Sequence, residues 1–222
     1  MISPRMNLSY MVAWASFRAL CGLYFHARIY HRERVPRNGP VILASNHVSF
    51  IDPPFIGSSL PRQLCYLARE SLFHHPISGM ILRSWNSIPV DRDGGGGKGL
   101  KTIFDRLRAG SAILIFPEGT RSRDGQIQSA RAGIGLVILK STAPVVPVRV
   151  FGMFEGFGRH ITFPQPTNAA VKFGEPMDFA ALRHEGKTCT KERLKQLYQI
   201  TADELMRAIA RLEPCDDKTQ FP

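Results

Sequence analysis

Within residues 46–52, Asn-His-Val-Ser-Phe-Ile-Asp, an imidazole and a carboxylate stand five residues apart, directly after the apolar run at 40–45. Histidine takes and returns a proton near neutrality, its unperturbed pKa being about 6.5, and a neighbouring carboxylate fixes its tautomer and orientation. The pair reads as a general base, His47, with its orienter, Asp52. On a continuous helix the two side chains would point about 140° apart, so the reading requires a strand end, a turn and then a helix start. Pro53-Pro54 supplies the turn, and Ser49-x-x-Asp52 matches a capping-box variant at the helix start. The same residues equally describe a histidine that closes a strand and an aspartate that caps a helix, with no chemistry between them.

A second apolar run, 111–116, opens into Pro-Glu-Gly-Thr-Arg-Ser-Arg-Asp-Gly over 117–125. Arg121 and Arg123 offer guanidinium forks for phosphate oxygens, and a glycine-rich turn after a strand leaves backbone N–H groups free, so an anion site fits this loop. A solvated surface turn would have the same composition.

The elements that must hold these loops follow from periodicity and turn residues. Strands are expected at 41–45, 63–68, 88–90, 111–116, 144–151 and 170–173, with one more at 160–163 inside a loop over 152–168. Helices are expected at 50–60, at 70–85 with an interruption near His74-His75-Pro76, at 100–109, at 130–141 and at 191–212. Ala132, Gly133 and Gly135 would let the helix at 130–141 pack closely on the sheet. Pro147 and Arg149 argue that the strand at 144–151 is short or near an edge. Strands alternating with helices over 222 residues give one α/β domain, a mixed, partly parallel sheet flanked by helices. Arg92, like His47, would then follow the C-terminal end of a strand, where such sheets collect their ligands.

Composition narrows the partners. A net charge of +11 and a pI near 10.0 favour anionic headgroups, phosphorylated substrates or nucleic acid. Lysine and arginine are scattered and no nucleic-acid motif is present, which sets the last aside. The four cysteines show no metal-ligand spacing and read as reduced thiols. His74 and His75 are neighbours whose side chains diverge on a helix, so they read as surface residues. The glycines at 94–97 and Lys98-Gly99 do not make a P-loop; they read as a lead into the next helix, or as a flap over the substrate.

Six arginines stand against Glu33 alone in the first forty residues. Between them the run 8–25 is rich in apolar residues but broken by Ser9, Ser16, Arg18 and Gly22, and it is shorter than the ~20 residues needed to span a bilayer. It is expected to be an amphipathic helix in the membrane interface, with Trp14, Phe17 and Tyr24 at the lipid boundary. A helix packed on the protein's own core is the alternative. The resulting organisation is a membrane-associating segment at 1–35, a domain at 36–214 and a tail at 215–222, with no secretory signal.

Four blocks occur in order: Asn46-His47 with Asp52; Ile88-Pro89-Val90-Asp91-Arg92; Phe116-Pro117-Glu118-Gly119-Thr120-Arg121-Ser122; and Ala143-Pro144-Val145-Val146-Pro147-Val148. On these the chain resembles the glycerophospholipid acyltransferase family, most closely its 1-acylglycerol-3-phosphate acyltransferases, over about residues 40–150. The resemblance implies transfer of a fatty acyl group from acyl-CoA or acyl carrier protein to the sn-2 hydroxyl of a lysophosphatidic acid, giving phosphatidic acid. It makes His47 the base and Asp52 its holder, sets Arg92 and Arg121 on the acceptor phosphate, and has Glu118, Gly119 and Thr120 shape the acceptor site, with a backbone amide near Gly119-Thr120 as oxyanion donor. Because no nucleophilic Ser or Cys motif is present, direct attack without an acyl-enzyme, metal or bound cofactor is expected. The implied place is the cytoplasmic face of a membrane, peripheral or monotopic. Asn86 stands where the family usually has glycine, and Arg131 where a lysine is common. Another lysolipid acceptor, an acyl thioesterase and a noncatalytic lipid-binding protein are the competing readings.

Overall fold

The structure, a computed structural model, describes residues 7–90 and 97–214. Arg92, residues 94–96 of the glycine run at 94–97 and the tail lie outside the described residues. A helix α1, Leu8–Tyr24, leads through a short strand β1, Arg28–Tyr30, to β2, Val41–Ser45, and the helix α2, Asp52–Ser58. Next come β3, Leu64–Arg69, a 3-10 turn Glu70–Phe73, α3, Pro76–Ser84, and β4, Ile88–Val90. Then follow α4, Gly97–Arg108, β5, Ala112–Ile115, α5, Gly133–Lys140, and β6, Val145–Phe151. The last elements are α6, Met153–Phe157, β7, Ala170–Phe173, α7, Ala180–Thr188, and α8, Lys191–Ala210.

The seven strands form one sheet in the order β1-β7-β6-β2-β5-β3-β4. Every pairing is parallel except β6 with β7. The central strand β2 is wholly buried and apolar up to its last residue, Ser45, as a strand covered by helices on both faces must be. Its residues alternate between two cores: Val41 and Leu43 join Phe25, Phe55 and Ile56 beneath α1 and α2, while Ile42 and Ala44 join Ile134, Ile138, Leu205 and Ile209 beneath α5 and α8.

Four differences from the sequence reading have clear physical causes. The strand β6 is neither short nor at an edge; it runs seven residues between β2 and β7. Pro147 is tolerated because its missing N–H faces β7 at the point where that ladder stops: β7 pairs only from Val148↔Phe173 onward, and the Pro147 carbonyl is still used by the Gly174 N–H. The region 160–163 forms turn and bend rather than strand, and β1, α6 and α7 are elements that their short or polar sequences did not announce. Residues 28–30 lie inside the sheet, so the segment 1–35 contributes a strand to the domain as well as a helix.

Gly135 marks the fourth difference, since it packs on α8 rather than on the sheet. A Cβ there would lie 1.8 Å from the Tyr198 carbonyl oxygen, a backbone atom that cannot move without displacing α8. Gly135→Ala should therefore destabilise the fold by about 1–3 kcal/mol or more, despite the higher helix propensity of alanine. Gly133→Ala, where nothing lies within 4 Å, is the matched control. Thermal melts of the two variants check this, and equal melting temperatures would contradict the packing argument.

The helix α1 turns one stripe against the domain, with Tyr10 and Cys21 buried and Trp14 and Phe17 half-buried between them. The Trp14 Nε1–H donates to the Leu60 carbonyl at 2.9 Å, and Phe17 packs on the core beneath α2. Trp14 and Phe17 thus face the protein rather than the lipid boundary assigned to them from sequence. Among the described residues no helix is long and apolar enough to cross a membrane.

Candidate active site

Beyond Ser45 the chain leaves β2 but stays pinned to β6. The Asn46 side chain accepts from the Val150 N–H at 2.8 Å and donates to the Val150 carbonyl at 3.1 Å, replacing the ladder bonds a further strand residue would have made. His47 is held next by both of its backbone groups: its N–H donates to Glu118 Oε1 at 3.2 Å and its carbonyl accepts from the Ser122 N–H at 2.7 Å. The loop after β5 therefore grips the loop after β2, which is why the two motifs 70 residues apart in sequence form one site.

His47 Nδ1 lies 2.8 Å from Asp52 Oδ2, and that oxygen also accepts the Val48 and Ser49 N–H groups at 2.7 Å each. Asp52 is wholly buried. Its bond to the Ser49 N–H is the reciprocal half of a capping box, although α2 begins at Asp52 itself, with Ile51 as its N-cap. An ionised carboxylate accepting two backbone donors requires Nδ1 to carry the ring proton, which leaves Nε2 as a lone-pair base. The imidazole is clamped further by stacking on Phe116, with ring centroids 3.9 Å apart.

Glu118 is buried behind His47, its carboxylate used on the His47 amide. Burial pushes its carboxyl up to about 7 and the Asp52 charge pushes the same way, while the His47 and Gln128 backbone amides oppose. A carboxyl raised in the fold binds its proton more tightly folded than unfolded. Its stabilising contribution is complete below about pH 4.5 and is lost as pH rises through about 7. Glu118→Gln, which keeps an oxygen for the His47 amide, should abolish this slope. Urea unfolding near pH 5 and near pH 8 should show the parent losing up to roughly 3 kcal/mol more than the variant between the two.

Gly119 has φ +72°, and a Cβ there would press on the Arg131 guanidinium, with Nε 2.8 Å away. Its N–H closes a turn onto the Phe116 carbonyl at 3.0 Å, which removes it as an oxyanion donor and leaves the Thr120 amide for that reading. Arg121 lays its guanidinium over the Phe50 ring, 3.2 Å from the centroid, and Arg159 donates to the Arg121 carbonyl.

His47 and Arg121 both line a groove of about 800 Å³. Its other walls were not visible in the motifs: Trp14, Phe17 and Leu20 from α1, Tyr66 from β3, and Leu82 and Trp85 from the end of α3. Arg69 lines it too, and the register Arg69↔Val90 brings the end of β4, where the chain continues toward Arg92, to the same edge of the sheet. The groove thus sets an imidazole and a guanidinium in an otherwise largely apolar lining. His74 and His75 are exposed, the thiols of Cys21 and Cys65 are buried, and burial pushes Cys21 up to about 12.

Comparison with known proteins bears on the family of the chain. A 1-acyl-sn-glycerol-3-phosphate acyltransferase of Bacillus subtilis is 28% identical over 142 residues, covering 64% of this chain and 70% of the relative. The chloroplastic enzyme LPAT1 of Arabidopsis thaliana is 30% identical over 132 residues, but the match spans only 37% of its length. An N-acylphosphatidylethanolamine synthase of the same plant is 31% identical over 165 residues, 65% of this chain and 58% of that one. The crystal structure of the 1-acyl-sn-glycerophosphate acyltransferase of Thermotoga maritima superposes with a TM-score of 0.69 at 22% identity, over 94% of this chain and 82% of that one, a likeness of fold. The model of the family described as Acyltransferase matches residues 26–151, more than half the sequence and the whole span from α1's end to β6, so the chain belongs to the acyltransferase family.

Proposed function

We propose that the protein moves a fatty acyl group from a thioester carrier, coenzyme A or acyl carrier protein, to the sn-2 hydroxyl of a 1-acylglycerol-3-phosphate. The observation that carries this reading is the 2.8 Å contact between His47 Nδ1 and Asp52 at the head of a groove that also holds Arg121. His47 Nε2 takes the proton of the acceptor hydroxyl as its oxygen attacks the thioester carbonyl. The tetrahedral intermediate collapses, the carbon–sulfur bond breaks, and the sulfur leaves with the proton returned by Nε2. Asp52 stays ionised and steadies the imidazolium formed in between. Arg121, with Arg92 by resemblance, holds the acceptor phosphate, and the Thr120 amide faces the developing oxyanion. Glu118 braces the His47 loop from behind. The acyl chains lie along Trp14, Phe17, Leu20 and Leu82. Such substrates reside in bilayers, so the protein works at a membrane surface, on its cytoplasmic face.

Purified protein is given acyl-CoA, then acyl carrier protein thioester, with and without lysophosphatidic acid, and free thiol is followed. Thiol released only with acceptor supports the proposal; thiol released regardless would make it a thioesterase, and none with either donor would end the enzymatic reading. Arg121→Ala should raise the acceptor KM at least tenfold with a smaller change in donor KM. A lysophospholipid with an esterified phosphate, or phosphatidylethanolamine, in place of lysophosphatidic acid tests the competing acceptors, the second being suggested by the match to the N-acylphosphatidylethanolamine synthase.

A further inference from the structure

An amphipathic helix on a globular domain normally turns its apolar stripe inward. The helix α3 does the reverse. Ile77, Met80 and Ile81 fall at i, i+3 and i+4 on one face and are 61%, 65% and 38% exposed, while the inward face is made by Gly79 and Leu82. Leu72, in the turn before α3, is 50% exposed as well. The helix α1 carries a second outward stripe opposite its buried one: Leu8, Val12 and Leu23 are 71%, 57% and 82% exposed, with Ala15 and Ala19 exposed between them. The two helices meet at their ends, where the Asn7 side chain that caps α1 donates to the Ser84 carbonyl at the end of α3. Between them opens the groove that ends at His47.

We propose that α3 and the turn before it form the second half of a lipid-binding face, so that α1 and α3 seat together in the interface of an anionic bilayer and the groove opens into the lipid between them. This rests on the acyl-transfer reading for the groove's occupant, but not for the contact itself. Three observations select a bilayer over other partners. Both stripes are aliphatic, and the one carboxylate in the two segments is Glu70 at the start of the turn, against Arg18, Arg69 and Arg83 at their margins in a chain of net charge +11. An apolar face rimmed by cations fits anionic headgroups over acyl chains. Neither helix has the length to span, α1 having 17 residues and α3 nine, so both lie in the interface rather than cross it. And a groove that admits a two-tailed product must open onto the phase where such molecules dissolve; these two helices are the lips of that opening.

Co-sedimentation with vesicles of phosphatidylglycerol and phosphatidylcholine, against phosphatidylcholine alone, tests the face. Ile77→Glu/Met80→Glu should lower binding to the anionic vesicles at least tenfold, as Val12→Glu/Leu23→Glu on α1 should. Both pairs should keep parental turnover on short-chain, monomeric donor and acceptor, because none of the four residues lines the groove. Ile77→Trp should in addition gain quenching by brominated lipid over the parent. Parental vesicle binding by the α3 pair, or a parent that sediments as a dimer and a variant as a monomer without change in vesicle binding, would overturn the proposal, the second by showing that a copy of the chain covers this face. Loss of turnover on monomeric substrates by His47→Ala without loss of vesicle binding would separate this contact from the chemistry.

Discussion

Replacing His47 with alanine should lower kcat by about 10² to 10⁴ while leaving the KM for acceptor and donor within a few-fold of the parent. Among the described residues that line the groove, His47 supplies the one imidazole and no carboxylate accompanies it, so no neighbour can take over its proton. Arg121 is cationic and Glu118 is turned away, spent on the His47 amide. The substrates should still bind, because the apolar walls and the guanidinium lie outside the substitution. The fold should survive, since Asp52 Oδ2 retains the Val48 and Ser49 N–H groups and the loop keeps both backbone bonds of residue 47. Steady-state kinetics with a melt of each protein check this. A variant with parental turnover and an unchanged melt would show that the imidazole only packs on Phe116.

How much of this was legible in the sequence depends on the range over which each feature is decided. The strands β2 and β5 are short apolar runs bounded by turn residues, and both were readable. So was the pairing of His47 with Asp52, because a strand end, two prolines and a helix start leave little freedom over five residues. The sheet order was not readable, and with it went the position of β6: a proline argues for an edge by its own lost donor, yet Pro147 sits where the neighbouring strand has ended. The groove was hidden for the same reason. Its walls come from α1, β3 and α3, and nothing in the spacing of Trp14, Tyr66 and Trp85 says that they face one trough. For Glu118 and Gly119 the motif gave identity without direction. Glu118 was given a part in shaping the acceptor site, whereas its carboxylate is found on the His47 amide, and the Gly119 N–H reads as free until the turn to Phe116 is seen. Trp14 and Phe17 were placed outward because aromatic residues suit a bilayer boundary; they suit an apolar groove equally, and aliphatic side chains were left to the outside.

Asp52 gives the second large effect, and it separates the charge of the carboxylate from its geometry. One oxygen, Oδ2, meets His47 Nδ1 and takes the Val48 and Ser49 N–H groups, while Oδ1 is buried without a hydrogen-bond partner among the described residues. In Asp52→Asn the amide oxygen can keep all three contacts, which preserves the tautomer and sets the NH₂ where Oδ1 stood. That NH₂ is then a buried donor without an acceptor, at a cost of about 1–3 kcal/mol. What is lost for the chemistry is the negative charge behind the imidazolium that forms during transfer. Turnover should fall by about 10² to 10⁴, up to the full contribution of a general base, and raising the pH should not restore it because the missing charge is that of residue 52 itself. In Asp52→Ala the ring loses the partner that fixes its tautomer as well, so kcat should be no higher than in the asparagine variant. Two buried backbone donors then lose their acceptor, at about 1–3 kcal/mol each. Kinetics paired with urea unfolding should therefore rank alanine at or below asparagine in both turnover and stability. An asparagine variant with near-parental kcat would mean that the charge of Asp52 does nothing for the imidazole and that the residue only builds the loop.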